Sequence, residues 1–574
     1  MEVLFPLSVV RKLPHLEEIK VVCCKLMCGI IEVDDSGKVE LCNLRVLKLR
    51  DLPCIKNFLN VGSSPSSSTS HDQVSTQIAF FNGKRVSIPS LESLTLEALP
   101  DMQEIWSDES PLGLSNLQSL VVVQCKSLLK VFSFGSLLKL RKLHTLTIKD
   151  CVSVQEIFDL DGPSGSGNVA TLFELATLEL SKMRSLRRIW NKNPHGTMSL
   201  HNLKKLVVED CENLEFMFFP SMIKSLAHLR DLTVSNCKKM EAIIMEEEEV
   251  GMEIVETLEF PMLTNLCLKQ LESLMCFSHG KGSRETWSQG HVQSRFIALF
   301  NREVAFPRLE TLEIMSLDNF GFMFLPSSVT SFTQLKELKV WFCEKMKAII
   351  VEEEGLRMET SETLTFPMLT DLHLSNLTSL RCFSHGKYSQ EARSQDRVKP
   401  HSTALFDGEV AFPSLETLDI VVVDNIENIW NNQVAADSFH NLKSLYVCHC
   451  HKLVNLVPSH ILGRLSSLER LEAKNCGSLV VVFELQPPNP PDRHPTTCSL
   501  LKELILIELP ELKCVWDEEL HCQVIFQCLR SISVSRCKSL TSLFPASIAN
   551  DLIQLEDLKI DECGIANSWR MKKA

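Results

Sequence analysis

One pattern of apolar positions recurs along almost the whole chain. In "LKSLYVCHCHKL" the apolar residues Leu442, Leu445 and Val447 are followed by Cys450. The same spacing, L-x-x-L-x-[LVI]-x-x-[CL], begins at 18 leucines, and offsets are counted from the first leucine of each frame as offset 0. These leucines are Leu16, Leu44, Leu91, Leu117, Leu143, Leu175, Leu203, Leu229, Leu263, Leu309, Leu335, Leu369, Leu415, Leu442, Leu468, Leu501, Leu529 and Leu555.

Within each frame the apolar side chains at offsets 3 and 5 alternate with offsets 2, 4 and 6, which is the period of a half-buried β-strand. One such strand cannot bury its own leucines, but stacked neighbours share an elongated core. The sequence therefore predicts an α/β repeat fold, a leucine-rich-repeat solenoid of horseshoe or superhelical form. It has a parallel β-sheet on the concave side and short helices or irregular segments on the convex side.

Several segments between frames carry helix signals. In "FFPSMIKSLAHLRDL", "FLPSSVTSFTQLKEL", "LVPSHILGRLSSLERL" and "LFPASIANDLIQLEDL" a serine precedes apolar residues at helical spacing. Serine before such a run is typical of a helix N-cap. We therefore expect a short convex-side helix in these repeats, capped by the serine.

The frames predict a single solenoid of about 18 repeats over residues 1–574. A tandem duplication relates residues 240–314 to residues 346–420 at an offset of 106 residues, and both copies contain "CFSHGK". Stretches without the frame are predicted to be insertions. They are the serine-rich polar segment 61–89, the loops 279–304 and 385–410, and the proline-rich loop 486–497.

Charge and composition exclude several classes of protein. The formal net charge is -13, whereas a nucleic-acid-binding protein carries a basic surface, so no nucleic-acid partner is expected. No apolar run is long enough for a membrane span. The amino-terminal residues lack the basic region and cleavage site of a signal peptide. The 22 cysteines are then expected to remain reduced thiols in the cytoplasm.

The densest group of potential metal ligands is Cys448, His449, Cys450 and His451. Cys450 occupies the ninth position of its frame, where ten of the 18 frames have cysteine, so we interpret it as a core residue. Cys448 is expected on the outward face of the strand, where it cannot share a metal ion with Cys450. No metal, cofactor or catalytic residue is predicted, because no phosphate-binding loop, zinc-binding pair or nucleophile motif is present. The chain is therefore not expected to be an enzyme.

The outward positions of the strands are mostly polar, but the eleventh to fourteenth frames differ. Trp341 lies at offset 6, and His373 and Tyr446 lie at offset 4. Aromatic residues surrounded by charge are typical of protein-binding hot spots. The predicted protein-binding residues on the concave face are Lys339, Trp341, Asp371, His373, Asp419 and Tyr446. The alternative interpretation is that Trp341 packs along its neighbours and has no partner.

The recurrent "L-x-x-L-x-V-x-x-C-x-x-L" frames and the block "LFPASIANDLIQLEDLKIDEC" resemble the leucine-rich-repeat region of plant coiled-coil, nucleotide-binding, leucine-rich-repeat (NLR) disease resistance proteins. The resemblance extends from about Leu16 to Cys563. The nucleotide-binding motifs of those receptors are missing here, so the nucleotide switch is not carried over. In a full-length receptor a nucleotide-binding domain would be a partner of this region.

The resemblance implies a non-catalytic recognition module of an intracellular immune receptor that senses a pathogen effector or a guarded host protein. Two alternatives remain open from the sequence. One is a free-standing leucine-rich-repeat scaffold or inhibitor. The other is a substrate adaptor of a ubiquitin ligase, although no F-box-like helical segment precedes Leu16.

Overall fold

A computed structural model describes most of the chain. The described residues are 2–34, 37–61, 79–106, 114–132, 134–137, 139–160, 171–172, 174–193, 198–245, 257–279, 298–351, 363–385, 404–484, 497–517, 524–550 and 552–565. The chain forms two compact units, Met1–Gln289 and Gly290–Ala574.

A long parallel sheet runs through the first unit, and each of its strands covers offsets 2 to 6 of one frame. Neighbouring strands pair with equal offsets opposite each other, as in Leu120↔Leu146 and Leu146↔Leu178. The nine strands are Glu18–Val22, Val46–Arg50, Ser93–Glu97, Ser119–Val123, Thr145–Lys149, Thr177–Ser181, Lys205–Glu209, Asp231–Ser235 and Asn265–Lys269.

The second unit contains a long parallel sheet of the same kind, again with one strand from each frame. Its register is also equal, as in Leu338↔Leu372 and Leu372↔Leu418. The nine strands are Thr311–Met315, Glu337–Trp341, Asp371–Ser375, Thr417–Val421, Ser444–Cys448, Arg470–Lys474, Glu503–Ile507, Ser531–Ser535 and Asp557–Asp561. The predicted leucine-rich-repeat solenoid fold with its parallel sheet is confirmed.

Alternation along the strands separates a core face from an outward face. In 17 of the 18 frames the residues at offsets 3 and 5 are buried. The exception is the last frame, where Leu558 and Ile560 are 44% and 46% exposed. Among the described residues only one strand, Ser531–Ser535, pairs with their strand, so one side of these side chains has no neighbour.

Each strand of the long sheets ends in the same turn. The residue at offset 7 has a φ between 49° and 58° in all 18 frames, and in none of them is it glycine. In 16 of these frames its amide group donates to the next strand of the long sheet, as Ser316 does to Trp341 at 2.9 Å and Val422 does to Cys448 at 2.8 Å. The turn therefore adds one hydrogen bond to the ladder before the ninth residue enters the core.

Shorter parallel strands lie outside the long sheets and form small sheets of two to five strands. Those of the first unit are Val3–Pro6, Gly29–Val33, Val39–Glu40, Leu59–Val61, Ala79–Phe81, Val86–Ser87, Glu104–Trp106, Glu156–Phe158, Thr171–Leu172, Arg188–Trp190, Met198–Ser199, Ala242–Met245, Leu258–Glu259 and Cys276–His279. Those of the second unit are Ala298–Phe300, Val304–Ala305, Phe322–Phe324, Ala348–Val351, Leu364–Thr365, Cys382–His385, Ala404–Phe406, Val410–Ala411, Asn428–Trp430, Asn455–Val457, Val481–Phe483, Thr497–Cys498, Cys514–Trp516 and Val524–Ile525.

Aromatic side chains from these short strands stack on one another inside the core. Phe158 stacks on Trp190 with ring centroids 4.5 Å apart in the first unit. In the second unit Phe406 stacks on Trp430 at 5.8 Å, and Phe483 stacks on Trp516 at 5.7 Å. These contacts between consecutive repeats add to the leucine packing.

Short helices occur where the sequence predicts them, but the predicted serine caps are wrong. Among the described residues the α-helices are Leu7–Val10, Phe134–Leu137, Pro220–Ile223, Pro326–Val329, Ser459–Leu462 and Ala546–Ala549, and the 3₁₀ turns are Leu114–Asn116, Lys224–Leu226 and Thr330–Phe332. The helices at Pro220 and Pro326 begin with that proline, after the N-caps Phe219 and Leu325, which make no side-chain cap hydrogen bond. Proline suits this first position because its missing N–H would have no partner there.

The predicted insertions lie partly outside the described residues. In segments 61–89, 279–304 and 385–410 the last residues form short strands. Phe81, Phe300 and Phe406 of these strands are buried in the core. Residues 485–496, which hold nearly all of the proline-rich loop 486–497, are outside the described residues. Among the described residues, no helix has the length and apolar character needed to cross a bilayer.

Candidate functional site

The ninth-position cysteines are built into the core. Eight of them are buried, with no measurable exposure: Cys125, Cys151, Cys211, Cys237, Cys343, Cys450, Cys476 and Cys537. Cys24 and Cys563, in the first and last frames, are partly exposed. Each thiol hydrogen-bonds a backbone carbonyl two residues earlier, as Cys343 does to Trp341 at 3.4 Å. The described residues contain no cluster of three or more ligand side chains able to hold a metal ion.

The structure corrects the sequence interpretation of Cys448. Its strand position is outward, as expected, but the residue is only 6% exposed. Tyr446 lies two residues earlier on the same face and hydrogen-bonds the thiol, and burial raises the pKa of Cys448. Tyr446 therefore lies against this side chain on the outward face.

The six predicted protein-binding residues all lie on the outward face of the long sheet in the second unit, and we call them the sheet patch. They come from four consecutive strands, Glu337–Trp341, Asp371–Ser375, Thr417–Val421 and Ser444–Cys448. All six side chains are half-buried: Lys339, Trp341, Asp371, His373, Asp419 and Tyr446.

The middle row of the sheet patch holds a line of polar contacts. Lys339, His373, Asp419 and Tyr446 are register partners on consecutive strands. Nδ1 of His373 lies 2.8 Å from Oδ2 of Asp419, and its Nε2 lies 3.9 Å from Oε1 of Glu337. The same carboxylate of Glu337 pairs with Nζ of Lys339 at 2.6 Å. The histidine ring is thus held between two carboxylates.

Trp341 lies at the end of its strand, beside an apolar neighbour. Its register partners are Met315 on one side and Ser375 on the other, so His373 is a diagonal neighbour rather than a direct one. The following residue, Phe342, is 45% exposed. Trp341 and Phe342 together place two large aromatic side chains at the carboxyl end of this strand.

Tyr446 is surrounded by charged side chains of the next strand. Nζ of Lys474 lies 5.7 Å from the centre of the Tyr446 ring, within the range of a cation–π contact. The hydrogen bond with Cys448 and burial raise the pKa of the Tyr446 hydroxyl, so it stays protonated. Although burial acts to raise the pKa of Glu472, hydrogen bonds from Lys474 and Arg470 lower it, and the carboxylate stays charged.

Sequence reasoning missed four residues that complete this surface. Glu337 joins Lys339 and His373, while Arg470, Glu472 and Lys474 form an ion-pair group next to Tyr446. All four occupy offsets 2, 4 or 6 of their frames. The frames would have identified them if the predicted surface had included the offset-2 position of Glu337 and the next strand, Arg470–Lys474.

A second polar cluster of the second unit joins the short strand Cys382–His385 to the turn between Ala404–Phe406 and Val410–Ala411. Oγ of Ser384 donates to Oε2 of Glu409 at 2.6 Å, and the amide of Glu409 donates to Oδ1 of Asp407 at 3.0 Å. Burial and the nearby Glu409 carboxylate raise the pKa of Asp407 to about 6. In the other copy of the duplication Asn301 replaces Asp407 and accepts the same hydrogen bond, from the amide of Glu303.

Comparison with known proteins gives one family match. The family described as "Plant disease resistance protein RPS2-like, leucine-rich repeats" matches residues 67–151, 90–238 and 414–564, which together make up more than half of the chain. No curated protein matches the chain.

Two solved structures show a similarity to the chain. The crystal structure of a TLR13–ssRNA13 complex is 14% identical, with 97% of this chain and 77% of that chain covered and a TM-score of 0.29. A leucine-rich-repeat protein of Leptospira interrogans, LIC12759, is also 14% identical, with 84% and 86% covered and a TM-score of 0.31. Both scores are low, so the fold assignment rests on the frames and their sheets.

Proposed function

Because the chain belongs to the family of plant disease resistance proteins with RPS2-like leucine-rich repeats, we propose that it recognises a protein and catalyses no reaction. The recognised protein is a pathogen effector or a host protein that the effector modifies. We place the contact on the sheet patch, at the outward face of the second unit.

The observation that carries this proposal is the composition of the sheet patch. Trp341 and Tyr446 are half-buried aromatic residues on a face where charged side chains already pair with one another. Such residues lose little conformational entropy on binding, and desolvated aromatic anchors dominate protein interfaces. The paired strands of the long sheet that carry Trp341 and Tyr446 hold these side chains at fixed spacing, which favours a preorganised surface.

We also propose where in the cell the module acts and which domain it acts with. The family resemblance supports a cytoplasmic location and a role beside a nucleotide-binding domain in an NLR receptor. Binding at the sheet patch would then report the presence of a pathogen to that domain. A nucleotide-binding region encoded in frame upstream of Met1 would support this arrangement.

Proximity labelling in leaf cells challenged with a pathogen identifies candidate partners of the full chain. The dissociation constant of each purified partner is then measured with the full chain and with Trp341→Ala and Tyr446→Ala. We expect each substitution to weaken binding by about tenfold or more, because hot-spot truncations cost about 2 kcal/mol.

Val121→Ala is the matched control, since Val121 also lies at an outward offset 4 but in the first unit. It should leave the dissociation constant unchanged. The proposal is wrong if the two sheet-patch variants fold normally and bind every identified partner as tightly as the unmodified chain does.

A further inference from the structure

The outward face around the sheet patch is organised in three rows. Five consecutive strands, from Thr311–Met315 to Ser444–Cys448, each carry offsets 2, 4 and 6 on the outward face in equal register. Rows on one strand are separated by about 7 Å and neighbouring strands by about 4.8 Å. The face therefore offers an ordered array of side chains rather than scattered surface residues.

The charge of this array is predominantly negative. Its outward positions, all of which the structure describes, carry four carboxylates and one lysine ammonium. The carboxylates belong to Glu313, Glu337, Asp371 and Asp419, and the ammonium belongs to Lys339. The carboxylates of Glu337 and Asp371 are register partners on adjacent strands. Like charges so arranged favour a partner that brings positive charge.

The third row of the same array is apolar. At offset 6 it contains Met315, Trp341, Val421 and Cys448, with only Ser375 interrupting the series. The exposed Phe342 extends this row by one residue. A partner that covers the array therefore meets carboxylates along one side and apolar side chains along the other.

An intramolecular contact shows what kind of group the array accepts. Lys474 of the neighbouring strand places its ammonium over the ring of Tyr446 and also pairs with Glu472. A lysine here is thus bound by one aromatic face and one carboxylate. Trp341 and the carboxylates of the array can offer an incoming cation the same combination.

The long sheet of the first unit lacks this character. Its outward positions carry five carboxylates and six lysine or arginine side chains. Charges of both signs are interspersed, as where Lys149 and Lys205 both pair with Glu179. The acidic and apolar combination is therefore a local property of the second unit and does not follow from the repeat itself.

We propose that this array binds a lysine- or arginine-bearing segment of a partner protein whose apolar side chains cover the offset-6 row. The inference rests on the proposed function and adds the chemistry of the partner. Positive side chains of the segment contact the acidic positions at offsets 2 and 4, and its apolar side chains contact Trp341 and Met315.

The test uses the full chain and a fluorescent synthetic peptide of lysine and leucine with glycine spacers. One matched peptide replaces lysine with glutamate, and another replaces leucine with serine. We expect the lysine–leucine peptide to bind, more weakly as ionic strength rises, and both matched peptides to bind less tightly. The double variant Glu313→Gln, Asp371→Asn should weaken the lysine–leucine peptide about fivefold or more.

The control Glu209→Gln, Asp231→Asn removes two carboxylates from the outward face of the first unit. It should change peptide binding less than twofold. The inference fails if the glutamate peptide binds as tightly as the lysine peptide, if the serine peptide equals the leucine peptide, or if both double variants have the same effect. A natural partner that depends on Trp341 but not on Glu313 and Asp371 would overturn the partner chemistry and leave the proposed function intact.

Discussion

The amide of Val422 donates to the carbonyl oxygen of Cys448 at 2.8 Å while Val422 itself has a φ of 53°. A β-branched residue is a rare occupant of this left-handed region, because its Cβ approaches the carbonyl oxygen. The hydrogen bond between repeats therefore forms against backbone strain. Asn376 occupies the same offset one strand earlier, and asparagine tolerates this conformation better.

The first prediction is that Val422→Asn stabilises the protein. We expect the free energy of unfolding to rise by about 0.5–1 kcal/mol, because asparagine relieves the strain without the chain entropy that glycine would add. Urea denaturation followed by circular dichroism measures the change. Val421→Asn is the control, since Val421 is half-buried too but lies within the strand, and it should give no gain. Equal destabilisation by both substitutions would contradict the strain argument.

The second prediction concerns pH and Asp407. Its pKa in the folded chain, about 6, lies above the usual value of 3.8, so the folded state binds more protons than the unfolded state between these values. Stability that is present below about pH 4 should therefore be lost as the pH rises through 6. At pH 7.5 the charged carboxylate should lower the free energy of unfolding by about 3 kcal/mol.

Asp407→Asn should remove that cost, because asparagine cannot ionise and can still accept the hydrogen bond from the amide of Glu409. We expect the variant to be more stable than the unmodified chain at pH 7.5 and about equally stable at pH 4. Thermal denaturation at both pH values checks this. Asn301, at the matching position of the duplication, shows that asparagine fits the site, and Asn301→Asp should produce the opposite change. A pH-independent effect of Asp407→Asn would refute the assignment.

The third prediction compares two buried tryptophans. Nε1 of Trp430 donates to the carbonyl oxygen of Leu456 at 2.9 Å, whereas Nε1 of Trp516 is buried and has no acceptor among the described residues. Replacement by phenylalanine removes similar volume at both sites but breaks a hydrogen bond only at Trp430. Trp430→Phe should therefore destabilise the protein by about 1 kcal/mol more than Trp516→Phe. Chemical denaturation measures the free energy of unfolding of both variants. Equal losses of unfolding free energy in the two variants would contradict the prediction.

The fourth prediction concerns thiol reactivity. Burial raises the pKa of Cys343 and of Cys537 to about 11, so both thiols are protonated and shielded at pH 8. Iodoacetamide should modify exposed Cys42 and Cys54 within minutes but spare Cys343 and Cys537 until the chain is unfolded in urea. Peptide mass spectrometry reads out each site. Rapid modification of Cys343 in the folded chain would show that this ninth-position cysteine is open to solvent.

The sequence was sufficient for every strand of the long sheets, because alternation at offsets 2 to 6 follows directly from burial on one face. It was insufficient for the turn at offset 7, where residues as different as Val422, Asn376 and Phe342 share one backbone conformation imposed by the hydrogen bond to the next strand. The burial of Cys448 also depends on contacts with Tyr446, which no single frame reveals. The pairing of His373 with Asp419, 46 residues away, required the register of two strands.

Because neighbouring strands pair in equal register, a block of three repeats can be inserted into the chain or deleted from it without disturbing the pairing. Residues 240–314 and 346–420 stand 106 residues apart and align without a gap, so unequal recombination between their coding sequences would insert or delete three whole frames. Each new junction would again place a strand beside a strand with equal offsets, as Glu337 stands opposite Asp371. A lineage can therefore lengthen or shorten this chain, and exchange outward side chains, without having to evolve a new core.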